Sequence, residues 1–225
     1  MRKSNINGHE IPYNLSITEL NELVSSSNMV SFMLGCEALS QKDDIEAFNI
    51  LFRCLSKEDK YKRRYALEAI SHHAYKERLT EILEKSLSDD ILIIKTALCI
   101  IYQERIRVSK EKVFNVFRIK GDELDHYHFW SILVVATQND FDEGLALLKK
   151  YKSKESVEHV LVEVLFNITA DENWVELYDL IKDHKKPQIR MAACRLFVKY
   201  NNLAELTKFI EDQDGHIRKF VQKFL

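Results

Sequence analysis

The sequence predicts an all-α fold, an α-α superhelix of about six stacked helix pairs with a capping helix at each end. Three observations predict it. The 225 residues include only 5 Gly and 2 Pro, on which the tight turns of β folds depend. A short segment centred on a small residue recurs at nearly constant spacing. Each interval between recurrences contains two amphipathic helical patterns.

The recurring segment is clearest in Arg64–Ile70, Lys95–Ile101 and Arg190–Leu196. With weaker copies included, the spacings are 31, 31, 34, 31 and 30 residues, and the aligned positions are 35, 66, 97, 131, 162 and 192. A helix pair cannot bury its apolar stripe alone, so pairs at such a step stack on one another. Ala or Gly at the aligned position lets neighbouring helices approach closely.

Each step is predicted to hold a first helix, called A, and a second helix, called B. The A helices are predicted at 28–41, 59–75, 90–105, 122–138, 155–169 and 187–200. The B helices are predicted at 43–55, 77–87, 109–120, 140–151, 172–183 and 203–212. Helix starts are marked by the capping residues of Ser88–Asp90, Gly121–Asp122 and Asn139–Asp140, and by Pro187 in a first turn.

The ends of the chain complete this organisation. Residues 1–16 are expected to form an extended N-terminal arm, and residues 17–225 a single solenoid. A short amphipathic segment that begins at Ile17 is expected to cap the first repeat. A lone helix at 214–225 is expected to cap the last repeat through an inner stripe of Ile217, Phe220, Val221 and Phe224.

The segment Asp183–Leu196 carries an acid, a Pro, an Ile-Arg pair and then Ala and Leu, and it resembles the HEAT repeat signature. Asp214–Arg218 repeats the first half, and Lys62–Ala66 resembles the second half. The step is closer to the short HEAT-like repeats of the bilin-lyase type than to longer eukaryotic units. The resemblance covers 28–225 and implies a solenoid whose B helices line a concave binding face. The Trp, Gly and Pro landmarks of tetratricopeptide repeats are absent.

Chemistry-bearing motifs are sparse. His72 and His73 are adjacent, and His126 and His128 are two apart, whereas helical zinc sites favour a spacing of four. No G-x-S-x-G motif and no Gly-rich phosphate loop occurs. We therefore expect no catalytic residue, no metal and no cofactor. Three acidic residues, Asp122, Glu123 and Asp125, cluster at a predicted helix start. Their favourable interaction with the positive end of the helix dipole explains them without a catalytic role.

The composition predicts a cytoplasmic protein. The net charge is −2, and the polar residues 1–16 contain no apolar stretch typical of a signal peptide. No apolar run is long enough to cross a bilayer, so we expect no membrane partner. Buried free thiols in a reducing compartment are expected at Cys36, Cys54, Cys99 and Cys194.

Two basic runs, 57–64 and 182–190, each precede or enter a predicted A helix. A ladder of ion pairs between neighbouring repeats explains them better than a nucleic-acid contact. The third B helix (109–120) has a net charge of +3, and the fifth has −4 when counted from Asp171 to Asp183. The net charges of all six B helices sum to −7. A groove that follows phosphates needs the opposite sign, so we do not expect a nucleic-acid partner.

The most favoured function is a non-catalytic scaffold that binds a protein partner on its concave face. Six polar residues opposite the apolar stripes are predicted to contribute, namely Arg53, Glu81, Asn115, Arg118, Glu176 and Asp179. Two alternatives remain open. One is a HEAT-like nucleic-acid binder or DNA glycosylase-like enzyme, for which the groove has the wrong charge. The other is a bilin lyase-like enzyme, suggested by repeat length alone.

Overall fold

The computed structural model describes residues 5–170 and 173–225, and it confirms the all-α prediction. Fourteen α-helices lie within these described residues, and the strands there form a single short hairpin. The chain divides into two compact units, Met1–Leu124 and Asp125–Leu225, called here the N-terminal and C-terminal units. No helix in the described parts of the chain has the length and apolar character needed to cross a membrane.

The N-terminal unit begins with a hairpin in the segment predicted as an arm. Strands β1 (Asn5–Ile6) and β2 (His9–Glu10) pair around Asn7 and Gly8, which both have positive φ. Seven helices follow: α1 (Ile17–Ser25), α2 (Met29–Ser40), α3 (Ile45–Cys54), α4 (Lys60–His72), α5 (Leu79–Ser86), α6 (Ile91–Gln103) and α7 (Lys110–Lys120). A 3₁₀ turn at Gly121–Glu123 ends the unit.

The A and B pattern accounts for the packing within the N-terminal unit. The A helices α2, α4 and α6 pack one against the next, and α3 and α5 each pack on the A helix that follows them. Counted from the helix start, Gly35, Ala66 and Ala97 are each the seventh residue. A Cβ on Gly35 would lie 2.8 Å from Cγ1 of Val24, so this glycine permits the close approach of α1 to α2.

The C-terminal unit contains the remaining seven helices, α8 (Ile132–Val135), α9 (Phe141–Tyr151), α10 (Glu155–Ile168), α11 (Trp174–Ile181), α12 (Pro187–Lys199), α13 (Leu203–Leu206) and α14 (Gly215–Phe224). The A helices α10 and α12 pack together, and α12 packs on α14. The seventh residue of α12 is Ala193, one position beyond the aligned Ala192. Both alanines are fully buried, so the sequence alone did not indicate which of the two corresponds to the small residue of the other A helices.

The prediction of a continuous fourth A helix at 122–138 is wrong. The segment contains a 3₁₀ helix at His126–Ser131 and then the single turn of α8. The backbone N–H of Asp125 donates to Nδ1 of the buried His128, 3.1 Å away, which caps a new start inside the expected helix. The aromatic and β-branched residues between Tyr127 and Val135 are also weak helix formers.

Two smaller expectations at the C-terminal end need correction. The sixth B helix, predicted at 203–212, is the short α13 followed by a 3₁₀ turn at Thr207–Phe209. In α14, Ile217 and Val221 are buried as expected, Phe220 is half-buried, and Phe224 in the last turn of the helix is exposed. The capping stripe is therefore shorter than predicted.

Candidate partner-binding surface

The six residues predicted to bind a partner all lie on B helices and all have exposed side chains. Arg53 is on α3, Glu81 on α5, and both Asn115 and Arg118 are on α7. These four belong to the N-terminal unit. Glu176 and Asp179 are on α11 in the C-terminal unit. Asp171 and Glu172, which contribute to the acidic charge predicted for the fifth B helix, lie outside the described residues.

Side-chain contacts hold the B helices of the N-terminal unit next to one another. The guanidinium of Arg78, which directly precedes α5, lies 4.4 Å from the centre of the Phe52 ring on α3. The Glu84 carboxylate accepts from the Ser109 backbone N–H at 2.8 Å and from Nζ of Lys112 at 2.9 Å, which joins α5 to α7. These hydrogen bonds lower the pKa of Glu84. The exposed faces of α3, α5 and α7 are therefore adjacent.

The corresponding surface of the C-terminal unit is acidic along α11. Nζ of Lys182 donates to Asp179 at 2.7 Å, whereas Glu176 lies three residues earlier on the same exposed face. On the side of α11 toward α13, the Tyr178 hydroxyl donates to Glu205 at 3.1 Å. Burial, with the nearby Glu205 carboxylate, raises the pKa of Tyr178 to about 12. This hydroxyl is therefore a fixed hydrogen-bond donor that joins two B helices.

The two basic runs supply arginines to ion pairs with aspartates in the loops before α6 and α14, as the ladder hypothesis expected. Arg63 donates from Nη1 to the carbonyls of Lys57 and Glu58 and from Nη2 to Asp89, 2.9 Å away. Arg190 donates from Nη1 to the carbonyls six and five residues before it and forms a bidentate pair with Asp212. Both arginines are the fourth residue of their helix, α4 and α12.

A second charged cluster, which the sequence reasoning missed, lies beneath the loop between α11 and α12. The Glu158 carboxylate is buried and is bound by Nζ of Lys186 and by Nε2 of His184, the latter at 3.0 Å. Nδ1 of His184 accepts from the Lys186 backbone N–H, which assigns the ring proton to Nε2. Both ring nitrogens of His184 therefore have hydrogen-bond partners. Since Glu158 is on α10, the cluster fastens the loop to that helix.

The spacing of opposite charges in the sequence is a signal for such contacts. Glu158 and Lys186 are separated by 28 residues, and so are the pairs Glu84–Lys112 and Lys76–Glu104. Opposite charges 28 residues apart therefore mark contacts between segments that lie side by side in the fold.

The C-terminal unit also contains an open groove between the C-terminal halves of α9 and α11. Its cavity volume is about 440 Å³. The floor is apolar, with Val162 and Ile181 buried and Leu148 beside them. Lys149 and Lys152 line one rim, and Leu180 lines the other with 46% of its surface exposed. We call this feature the α9–α11 groove.

The aromatic residues considered for binding serve mainly in packing. Trp174 stacks on Tyr200 with ring centres 6.0 Å apart and meets the edge of Phe197 at 6.2 Å. Trp174 and Trp130 are half-buried rather than fully buried. In the described part of the chain, no group of three or more His, Cys, Asp or Glu side chains is placed to hold a metal ion.

No protein-family profile matches the chain, and no curated protein matches it. Among solved structures, the chain is similar to a crystal structure of an engineered protein from the Northeast Structural Genomics Consortium. The two are 14% identical, and the match covers 93% of this chain and 94% of that chain. The TM-score is 0.43, a value at which the likeness does not define a fold.

Proposed function

We propose that the chain is a HEAT-like α-solenoid that acts as a non-catalytic scaffold and binds a protein partner on the exposed faces of its B helices. The repeat assignment is supported by the packing of successive A helices within each unit. It is also supported by the equivalent roles of Arg63 and Arg190, each of which joins the carbonyls before its helix to an aspartate after it.

The observation that carries the binding proposal is the exposure of all six predicted residues on B helices whose opposite faces are buried. The buried faces serve the packing of the repeats, so the outer faces remain available to a partner. They carry both signs of charge, with Arg118 on α7 and Glu176 on α11 as examples. A mixed pattern of this kind steers a protein partner and gives specificity through complementary charges.

Affinity capture with the full chain as bait tests the proposal. Wild-type bait and a bait with Arg118→Glu and Asp179→Lys are compared in lysate of the source organism, followed by mass spectrometry. A third bait, Lys219→Glu, reverses an exposed charge on α14 and serves as the control. The same proteins should be recovered with the wild-type and control baits and lost with the double reversal. Recovery of no protein under several salt conditions contradicts the proposal.

A further inference from the structure

The α9–α11 groove combines an apolar cavity with a basic rim, both within the C-terminal unit. Leu148, Val162 and Ile181 provide uncharged walls deep in the groove, and Leu180 leaves nearly half of its surface exposed at the entrance. The cavity volume of about 440 Å³ accommodates one large apolar side chain. The groove therefore offers a place to bury such a side chain from another molecule.

The charge of the rim is available to that molecule. Lys149 and Lys152 are exposed, and neither forms an ion pair within the described residues. The Glu158 carboxylate also lines the groove, and Lys186 and His184 already bind it. The two lysines are thus free to meet acidic groups. On α11, Glu176 lies one turn before Leu180 and repels acidic groups on that side.

Resting on the proposed scaffold function, we infer that the α9–α11 groove binds an acidic segment of a partner protein that carries one bulky apolar side chain. The apolar side chain enters the cavity between Leu148 and Leu180, and the neighbouring carboxylates meet Lys149 and Lys152. A buried apolar anchor with a polar rim around it is the usual anatomy of a protein interface. The apolar walls distinguish this occupant from a phosphate backbone, which has no group to fill them.

Peptide selection on the full chain tests the inference. The probe is a phage-displayed library of random twelve-residue peptides, and enriched peptides are resynthesised with a fluorescein label for anisotropy measurements. We expect enriched peptides to combine at least two acidic residues with a neighbouring Leu, Phe or Trp. Lys149→Glu with Lys152→Glu, and separately Leu180→Ser, should weaken their binding about tenfold or more. Binding should also weaken as salt rises.

Two matched variants control for general effects on charge and surface polarity. Lys219→Glu reverses an exposed lysine on α14, and Tyr61→Ser removes a largely apolar side chain that is 52% exposed on the A helix α4. Both should leave affinity unchanged. Thermal melts followed by circular dichroism establish that every variant is folded. Because all the substituted side chains are exposed, melting temperatures should stay close to that of the wild type.

The outcomes separate this inference from the scaffold proposal. Peptides that bind equally well to wild type and to the groove variants overturn the groove and leave the scaffold standing. Displacement of the peptide by a single-stranded oligonucleotide of equal charge overturns the acidic-peptide assignment. Failure to select any peptide, together with an empty affinity capture, contradicts both proposals.

Discussion

Arg190 and Asp212 form a bidentate ion pair that is nearly closed to solvent. Nε and Nη2 of Arg190 donate to the two carboxylate oxygens at 2.8 and 2.7 Å, and the side chains are only 11% and 6% exposed. Nη1 of the same guanidinium binds the carbonyls of His184 and Lys185. A single side chain therefore fixes the loop before α12 and the loop before α14.

Replacing Asp212 by Asn should destabilise the protein by about 3 kcal/mol, since breaking a buried pair leaves an uncompensated charge. Chemical denaturation with urea, followed by circular dichroism, measures this change. The pair also predicts a pH effect. Arg190 holds the pKa of Asp212 below its ordinary value, so the stabilisation is complete above about pH 4 and is lost as pH falls through the lowered pKa.

The equivalent pair in the N-terminal unit provides the control. Arg63 and Asp89 are 17% and 34% exposed and share one hydrogen bond, so Asp89→Asn should cost less than about 1 kcal/mol. Equal losses for the two substitutions would refute the assignment of the Arg190 pair as the stronger link.

Two helix glycines should respond differently to substitution by Ala. A Cβ on Gly35 would meet Cγ1 of Val24 at 2.8 Å and its backbone nitrogen at 3.2 Å. Overpacking of this kind costs about 1–3 kcal/mol, and it outweighs a helix-propensity gain of about 1 kcal/mol. On Gly144 the one close contact of the new Cβ would be with Cδ2 of Leu165, the far end of a flexible side chain, at 2.8 Å. Thermal melts should show a loss for Gly35→Ala and little change for Gly144→Ala.

The sequence predicted most of the helices because apolar spacing and capping residues act locally. The predicted ranges 59–75 and 187–200 correspond to α4 and α12, and Pro187 is indeed at the start of its helix. The prediction failed for 122–138, where the buried imidazole of His128 interrupts the helix. The interruption requires the His128 ring to be buried with its Nδ1 facing the Asp125 N–H. A single sequence carries no direct signal for that orientation.

The candidate surface was predictable only in part. Exposure of Arg118 and Glu176 followed from helical periodicity, because both lie opposite an apolar stripe. The α9–α11 groove was not predicted, since it depends on the distance between two helices that are far apart in sequence. Lys149 and Lys152 line the same cavity as Leu148 and Leu180, and no spacing in the sequence indicates this.

A buried histidine predicts a second pH effect. His73 is fully buried against Phe48, and its Nδ1 accepts from the Tyr75 backbone N–H at 3.1 Å. Burial lowers its pKa, although the charges of Asp43 and Asp44 oppose the change. The unfolded chain takes up this proton near pH 6.5, whereas the folded protein does so only at lower pH. The free energy of unfolding should therefore decline as pH falls from about 6.5 through the lowered pKa.

Asparagine at position 73 removes the titration and retains an oxygen to accept from the Tyr75 N–H. In His73→Asn the free energy of unfolding should vary less between pH 7.5 and 5 than in the wild type. The exposed His72 supplies the control, because His72→Asn should leave the pH dependence unchanged. The same slope in all three proteins would exclude His73 as its source.

The nucleic-acid alternative has its own test. Electrophoretic mobility shifts with single-stranded and double-stranded DNA and RNA at low salt should show no specific complex, because Glu81, Glu176 and Asp179 repel phosphates from the B-helix surface. A salt-sensitive complex that Arg118→Glu abolishes would favour the nucleic-acid function instead.

Biolayer interferometry with a purified partner protein tests the central claim most directly. Arg118→Glu and Asp179→Lys should each weaken binding about tenfold, and both variants should keep the wild-type melting temperature because exposed charges contribute little stability. Wild-type affinity should fall as salt rises, and Lys219→Glu should bind like the wild type. Unchanged affinity in both reversal variants, or unfolding of either one, would contradict the assignment of the B-helix faces as the partner-binding surface.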